Sequence, residues 1–487
     1  MPTTSATKKK TKVVNVNAWT NDPGSGAKPD GGKKIKRPAP KLATMPLALA
    51  IENPATAPKA ALYAAGTAGF RYWTAAEALR RAADYWGAVL PGVSWQPGAT
   101  LPIDLDQGQD LNAYYDRVGL RFFHDTSGGR TVYSGESPDV VCHELGHAVL
   151  DAIKPGLWDT MAIEVGSFHE SFGDISALLS ALQLPEVRTA ALKETQGSIA
   201  RNSSLSRLAE QLGWAIRNVA PDAVDPDCLR NAANSFSYSD PQRLPRSAPA
   251  SQLCREVHSF SRVFTGAVLD CLAGMLKARP AADSANLLAV SKDFGSILTT
   301  AVKASPIVTA FYGQVASHTL TAADSLFAGS GYTAALKAGF LKHAILSPTA
   351  IAAVAMSPAK TRAALDAPTA EPALQAVNVK DYDLGVKELM MVTASDAPRY
   401  RMAAAALPAV DSQETDRVDA AKSYLEDLIA SGRVRTIVDG TPTAAVAARV
   451  SARGLRFTHE VREEGKKAVL RRLRVNCGFW ACTGCGK

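Results

Sequence analysis

The stretch from Ser137 to Gly156 constrains this chain more than any other, because both its ends carry helix punctuation. Ser137 can cap a helix, Pro138 suits the first helical position, and Asp139 complements the positive helix start. Lys154-Pro155-Gly156 ends the segment. Inside it lies C-H-E-L-G-H-A-V. His143 and His147 are four apart, so their imidazoles share one helix face and can share one metal ion. Glu144 is one step round the helix. It is poorly placed as a ligand but well placed to take a proton from a water at the metal. With 8 His in the chain, chance predicts on the order of 0.01 such motifs. The competing reading is a helix that happens to carry two surface histidines.

A catalytic zinc wants a third protein ligand. Residues 166–180 (GSFHESFGDISALLS) supply candidates on a predicted helix. Glu170 can complete the site. Asp174, four residues on, can accept a hydrogen bond from the far nitrogen of a ligating histidine. Glu164 and His169 are rival third ligands, and the spacing favours Glu170.

The rest of the chain sets the context. Its 487 residues, 46% hydrophobic and 21% charged, suffice for a sizeable core. The net charge of +8 is concentrated in two runs, Lys8 to Arg37 and Lys466 to Arg474. Neither has aromatic interleaving, so they read as solvated segments, and no nucleic-acid partner is expected. No classical signal peptide and no membrane span are expected either, which leaves a cytoplasmic or leaderless exported protein. The seven cysteines do not form an even framework. Cys142, Cys228, Cys254 and Cys271 read as buried apolar residues.

Residues 1–60 read as a disordered basic arm. Residues 61–136 read as β-rich, apart from a helix over Thr74–Leu90 capped by Thr74. Residues 137–347 read as helical and carry the metal site. Residues 348–374 form an Ala/Pro-rich linker, and residues 375–487 a small α+β appendage. The fold class is α+β. Cys477, Cys482 and Cys485 admit three readings: free or paired thiols, a second metal site with His459, or an inhibitory tail whose thiolate reaches the catalytic metal.

Beyond H-E-x-x-H, the chain resembles the thermolysin-like zinc metallopeptidases of the gluzincin group. The carriers, in family order over residues 60–345, are LNAYYDRVGLRFF, SPDVVCHELGHAV, ESFGD, CLRNAANSFSYSDP and EVHSFSRVF. The resemblance implies a two-lobe catalytic domain, with a β-rich N-terminal lobe, a helical C-terminal lobe and the active-site helix between them. It implies one zinc held by His143, His147 and Glu170, with Asp174 accepting a hydrogen bond from a ligating histidine. It implies Asn112 and Ala113 binding the substrate backbone, Arg230 binding a substrate carbonyl, and Glu144 and His258 acting in catalysis. The implied reaction is peptide-bond hydrolysis in a peptide or protein substrate. Calcium stays open, as does the oligomeric state. Three departures stand out. Trp158 is the nearest aromatic where the family has a tyrosine oxyanion donor. The residue expected to partner His258 falls near Leu253, which cannot serve, and Glu256 has the wrong spacing. The loop between His147 and Glu170 is longer than usual. A catalytically weak or inactive peptidase-fold protein, acting as a binding module or delivered effector, is the alternative.

Overall fold

Short, largely buried segments build a five-stranded mixed sheet. Its order is Val475–Asn476, Ala113–Tyr115, Leu120–Phe122, Thr100–Asp104 and Ala48–Asn53. The first two neighbour pairs are antiparallel and the last two parallel. These relations come from a computed structural model, which describes residues 13–24, 33–355, 371–382, 384–395, 416–438, 441–442 and 457–477. The fold class is α+β, as expected.

The helices among the described residues are α1 (Ala68–Val89), α2 (Pro138–Ile153), α3 (Ile163–Ala181), α4 (Pro185–Glu194) and α5 (Glu210–Arg217). They continue with α6 (Val257–Lys277), α7 (Ser284–Ala304), α8 (Phe311–Leu326), α9 (Tyr332–Lys342), α10 (Pro348–Ala355) and α11 (Arg417–Ala430). α2 packs against strand Ala113–Tyr115 and against α3, and α3 packs against α6. α6 is long and apolar enough to cross a membrane by length and composition, a property the sequence reading did not credit to any segment. In the fold its apolar window is 83% buried, which is the behaviour of a core helix.

Two expectations fail here. The segment expected to be a disordered arm contributes strands: Asn15–Trp19 pairs with Lys34–Pro38, and Ala48–Asn53 joins the main sheet. The reason is burial. Val16, Ala18 and Trp19 are enclosed, with Trp19 edge-on to Phe70 at 5.0 Å. A Lys-rich composition hid this short apolar set. The cap of α1 is Thr67, whose side chain accepts from the Phe70 N–H. Thr74 lies inside the helix and accepts from the Trp19 N–H at 2.9 Å.

A second sheet has the order Ala373–Asn378, Glu388–Thr393, Lys467–Arg472, His459–Glu464, Val434–Val438 and Thr441–Pro442. With α11 it forms the C-terminal unit. Its Val377, Leu389, Tyr424, Leu425 and Leu470 belong to the same apolar cluster as the helices. It is fastened to the loop after α2: the Met161 N–H donates to the Val392 carbonyl (2.8 Å) and Arg471 pairs with Asp159 (3.3 Å). On the α6 side, Arg255 pairs with Asp427 at 2.6 Å.

Candidate metal centre

The site begins with a close helix crossing. A Cβ added at Gly146, the fourth residue of the H-E-L-G-H run, would lie 2.6 Å from Ser176 Cβ and 3.0 Å from Gly173 Cα. One added at Gly173 would lie 2.6 Å from the His143 ring. Glycine at both positions lets α2 and α3 approach until the histidines of one meet the carboxylates of the other. Ser176 locks the crossing. Its hydroxyl donates to the Cys142 carbonyl (2.8 Å) and accepts from the Trp86 indole (3.0 Å). α2 starts as the sequence indicated, with the Ser137 side chain accepting from the Val140 N–H.

Across this crossing, His143 Nε2 lies 3.5 Å and His147 Nε2 3.9 Å from the Glu170 carboxylate. The two imidazole centroids are 4.6 Å apart. His143, Glu144 and His147 can bring one ligand atom each within 4.8 Å of one another. All four residues are buried. His143 Nε2, both His147 nitrogens, both Glu144 oxygens and Glu170 Oε2 have no hydrogen-bond partner among the described residues. Buried polar atoms are normally paired. A convergent set of unpaired nitrogen and carboxylate donors therefore fits a divalent cation that prefers N/O ligands.

The far side of His143 is held as the sequence indicated. Its Nδ1 is 2.9 Å from Asp174 Oδ1. Arg230 doubles the support: its guanidinium donates to both Asp174 oxygens, at 2.7 and 3.0 Å. Arg230 was expected to bind a substrate carbonyl; here it is buried in this ion pair. Burial works against charge on Asp174, yet Arg230 and His143 outweigh it and hold its carboxyl down at about 2. Burial also opposes charge on His143, but the Asp174 carboxylate bonded to its Nδ1 and the nearby Glu170 carboxylate hold its pKa up at about 9. His147 lacks that support, and burial, with the charge of His143, pushes it down to about 3. A cation between the rings would replace the proton that His143 otherwise carries. Burial, with the Glu170 charge nearby, raises Glu144 to about 8.

Both rivals for third ligand point elsewhere or lie aside. Glu164 accepts from the Tyr238 hydroxyl (2.7 Å) and the Tyr312 N–H (2.8 Å). His169 is buried between His147 and Trp158, with ring centroids 5.8 and 6.3 Å away.

His258 comes from the start of α6 and lies 3.3 Å from Glu170 through Nε2. Glu256, whose spacing had argued against it, does partner His258: its carboxylate is 2.8 Å from His258 Nδ1. It can do so because it is the N-cap of α6. It accepts from the His258 and Ser259 N–H groups, so its side chain turns back over the first turn. Trp158 is not a donor to this site, since its indole N–H reaches the Arg472 carbonyl at 3.3 Å. Asn112 is buried and its Oδ1 accepts from the Ala113 N–H at 2.9 Å.

One occupant of the site escaped the sequence reading in this form. The Cys477 N–H donates to the Ala113 carbonyl (2.9 Å), and His258 Nε2 donates to the Asn476 carbonyl (2.6 Å). Cys477 is 3% exposed, buried next to Arg230, Glu144 and Glu170. The clustered tail cysteines were the available signal. His459, its proposed partner in a second metal site, instead sits in a strand against Tyr424, with ring centroids 6.0 Å apart. Cys482 and Cys485 lie outside the described residues.

No protein-family model matches this chain, and no curated protein matches it.

Proposed function

We propose that this chain is a zinc-dependent endopeptidase with a thermolysin-like two-lobe catalytic domain. The observation that carries the reading is the buried, mutually unpaired donor set of His143, His147 and Glu170 beside the free carboxylate of Glu144. His143, His147 and Glu170 would hold the ion. When bound, zinc supplies a Lewis acid that polarises a substrate carbonyl and makes a water more acidic.

The chain's own groups do the rest. Glu144 takes a proton from the attacking water and passes it to the leaving amine. Burial pushes its carboxyl up, and a cation held beside it would favour the carboxylate, the form that accepts a proton. His258, oriented by Glu256, directs its Nε2–H at the carbonyl oxygen that gains charge. A preorganised donor of this kind is commonly worth about 2.7–4 kcal/mol. The Ala113 carbonyl and Asn112 offer backbone recognition along the edge strand, and a peptide lying there would be held extended. Asp174 and Arg230 fix the orientation of His143.

The second reading is a catalytically weak binding module or delivered effector on the same fold. It is favoured by the engagement of Ala113 and His258 with residues 475–477 of the chain itself.

The test is metal content and casein hydrolysis. Wild type is expected to carry about one zinc per chain and to cleave. Glu144→Gln is expected to keep the zinc and lose about 10²–10⁴-fold in rate. Protein without zinc, or undiminished cleavage in Glu144→Gln, overturns the peptidase. Zinc-loaded wild type that cuts nothing in a broad peptide library favours the binding module.

A further inference from the structure

Residues 475–477 lie where the peptidase reading puts its substrate. Val475 and Asn476 pair antiparallel with Tyr115 and Tyr114 on the edge strand. The next N–H, of Cys477, bonds to the Ala113 carbonyl, and the carbonyl before it, of Asn476, accepts from His258. The two atoms belong to one peptide group. That group is therefore held from both sides, by the edge strand at its nitrogen and by the proposed oxyanion donor at its oxygen. An extended peptide added to a sheet edge makes this pattern. The Cys477 side chain is buried and feels the charges of Arg230, Glu144, Glu170 and Asp174.

We propose that Val475–Cys477 is a built-in, substrate-like strand that closes the cleft until it is displaced; this rests on the peptidase reading of the site. The hold is short. The strand is two residues long. The Asn476 side-chain amide is buried with both its nitrogen and its oxygen unpaired among the described residues, which works against the strand's binding. The closed arrangement is thus built to open. Its base is firmer: the Arg472 carbonyl accepts from Trp158, and the Arg472 guanidinium donates to the Trp158 carbonyl (2.5 Å). The strand therefore swings from an anchored hairpin, Lys467–Arg472 paired with His459–Glu464. Any extended peptide that takes its place must make the same bonds to Ala113 and His258.

The test uses the full chain with Cys477→Pro. Proline keeps Asn476 extended and removes the N–H given to Ala113. Losing one such bond is expected to raise access about five-fold. The first readout needs no metal and no catalysis. A fluorescent peptide copying residues 471–480 is titrated into metal-free wild type and metal-free Cys477→Pro. The variant is expected to bind it about five-fold more tightly. A control peptide with Pro in place of its Cys is expected to bind each protein about five-fold more weakly. Equal binding to both proteins overturns the proposal. The second readout is peptide cleavage by the zinc-loaded proteins, where kcat/KM is expected to rise by the same factor. If Glu144→Gln removes cleavage but Cys477→Pro leaves it unchanged, the peptidase stands and the strand does not close it. If neither protein cleaves yet the peptide discriminates between them, the strand stands and the peptidase falls. Wild-type chain cut between Asn476 and Cys477, and left whole in Glu144→Gln, also supports the placement, since only a bond held at the catalytic groups is hydrolysed.

Discussion

The donor cluster on α2 and α3 and the strand at residues 475–477 touch one another but are built differently. The cluster is made from two helices adjacent in sequence, crossing at Gly146 and Gly173, with every supporting group buried. The strand reaches its place through pairing with Tyr114 and Tyr115, more than three hundred positions earlier in the chain. One region is rigid because its parts are local and fully enclosed. The other is displaceable because its contacts are few and long-range. The difference teaches that a reactive site and the segment that covers it can share residues without sharing stability.

The sharpest way to break this comparison is Asp174→Asn. It leaves Arg230 buried without its counter-charge and gives His143 only a neutral amide oxygen in place of a carboxylate. Removing one partner of a buried pair costs about 3–5 kcal/mol, and losing the orienting carboxylate weakens metal affinity about 10–100-fold. Denaturant unfolding and competition with a chromophoric chelator measure the two. Unchanged zinc affinity would mean that the cluster is not the preorganised region.

Trp158→Phe probes the other region. An aromatic ring is kept, but it is smaller than the indole, and the N–H given to Arg472 is lost; the lost bond alone is worth about 1 kcal/mol. Amide exchange over residues 472–477 is expected to quicken about five-fold, with zinc affinity unchanged. If zinc affinity falls as well, the two regions are coupled more tightly than their contacts indicate.

A third effect is electrostatic and belongs to the lead into α2. Burial raises Glu136 from 4.5 to about 7, against the pull of Arg71 at 3.5 Å. The folded chain keeps this proton to higher pH than the unfolded chain. This group's contribution to stability is therefore full below pH 4.5 and is lost as pH rises through about 7. Glu136→Gln has no proton to lose. Its thermal midpoint is expected to match wild type at pH 4 and to exceed it at pH 8. A difference that does not change with pH would show that the side chain is not buried as charge.

Much of the cluster was legible because helix spacing is a local rule. Four residues apart on a capped segment means one face, and that alone brings His143 to His147 and Glu170 to Asp174. The α+β class followed from the change of periodicity near Ser137. The N-terminal strands were hidden because their apolar residues are few and sit among lysines. Pairing Asn15–Trp19 with Lys34–Pro38 needs Phe70 and Thr74 as backing, and neither is near in sequence. Glu256 was discounted on spacing because a capping side chain folds back over its own helix, which no linear offset reports.

By itself, then, the sequence determined which residues can share a helix face, where α2 starts, and which residue types can hold a metal or move a proton. Backbone geometry fixes these within a turn or two. Only the tertiary structure decided that Arg230 pairs with Asp174, that Trp158 turns from the metal to Arg472, and that the Asn476–Cys477 peptide group lies between Ala113 and His258. These depend on how distant elements pack, and burial rather than spacing selects among them.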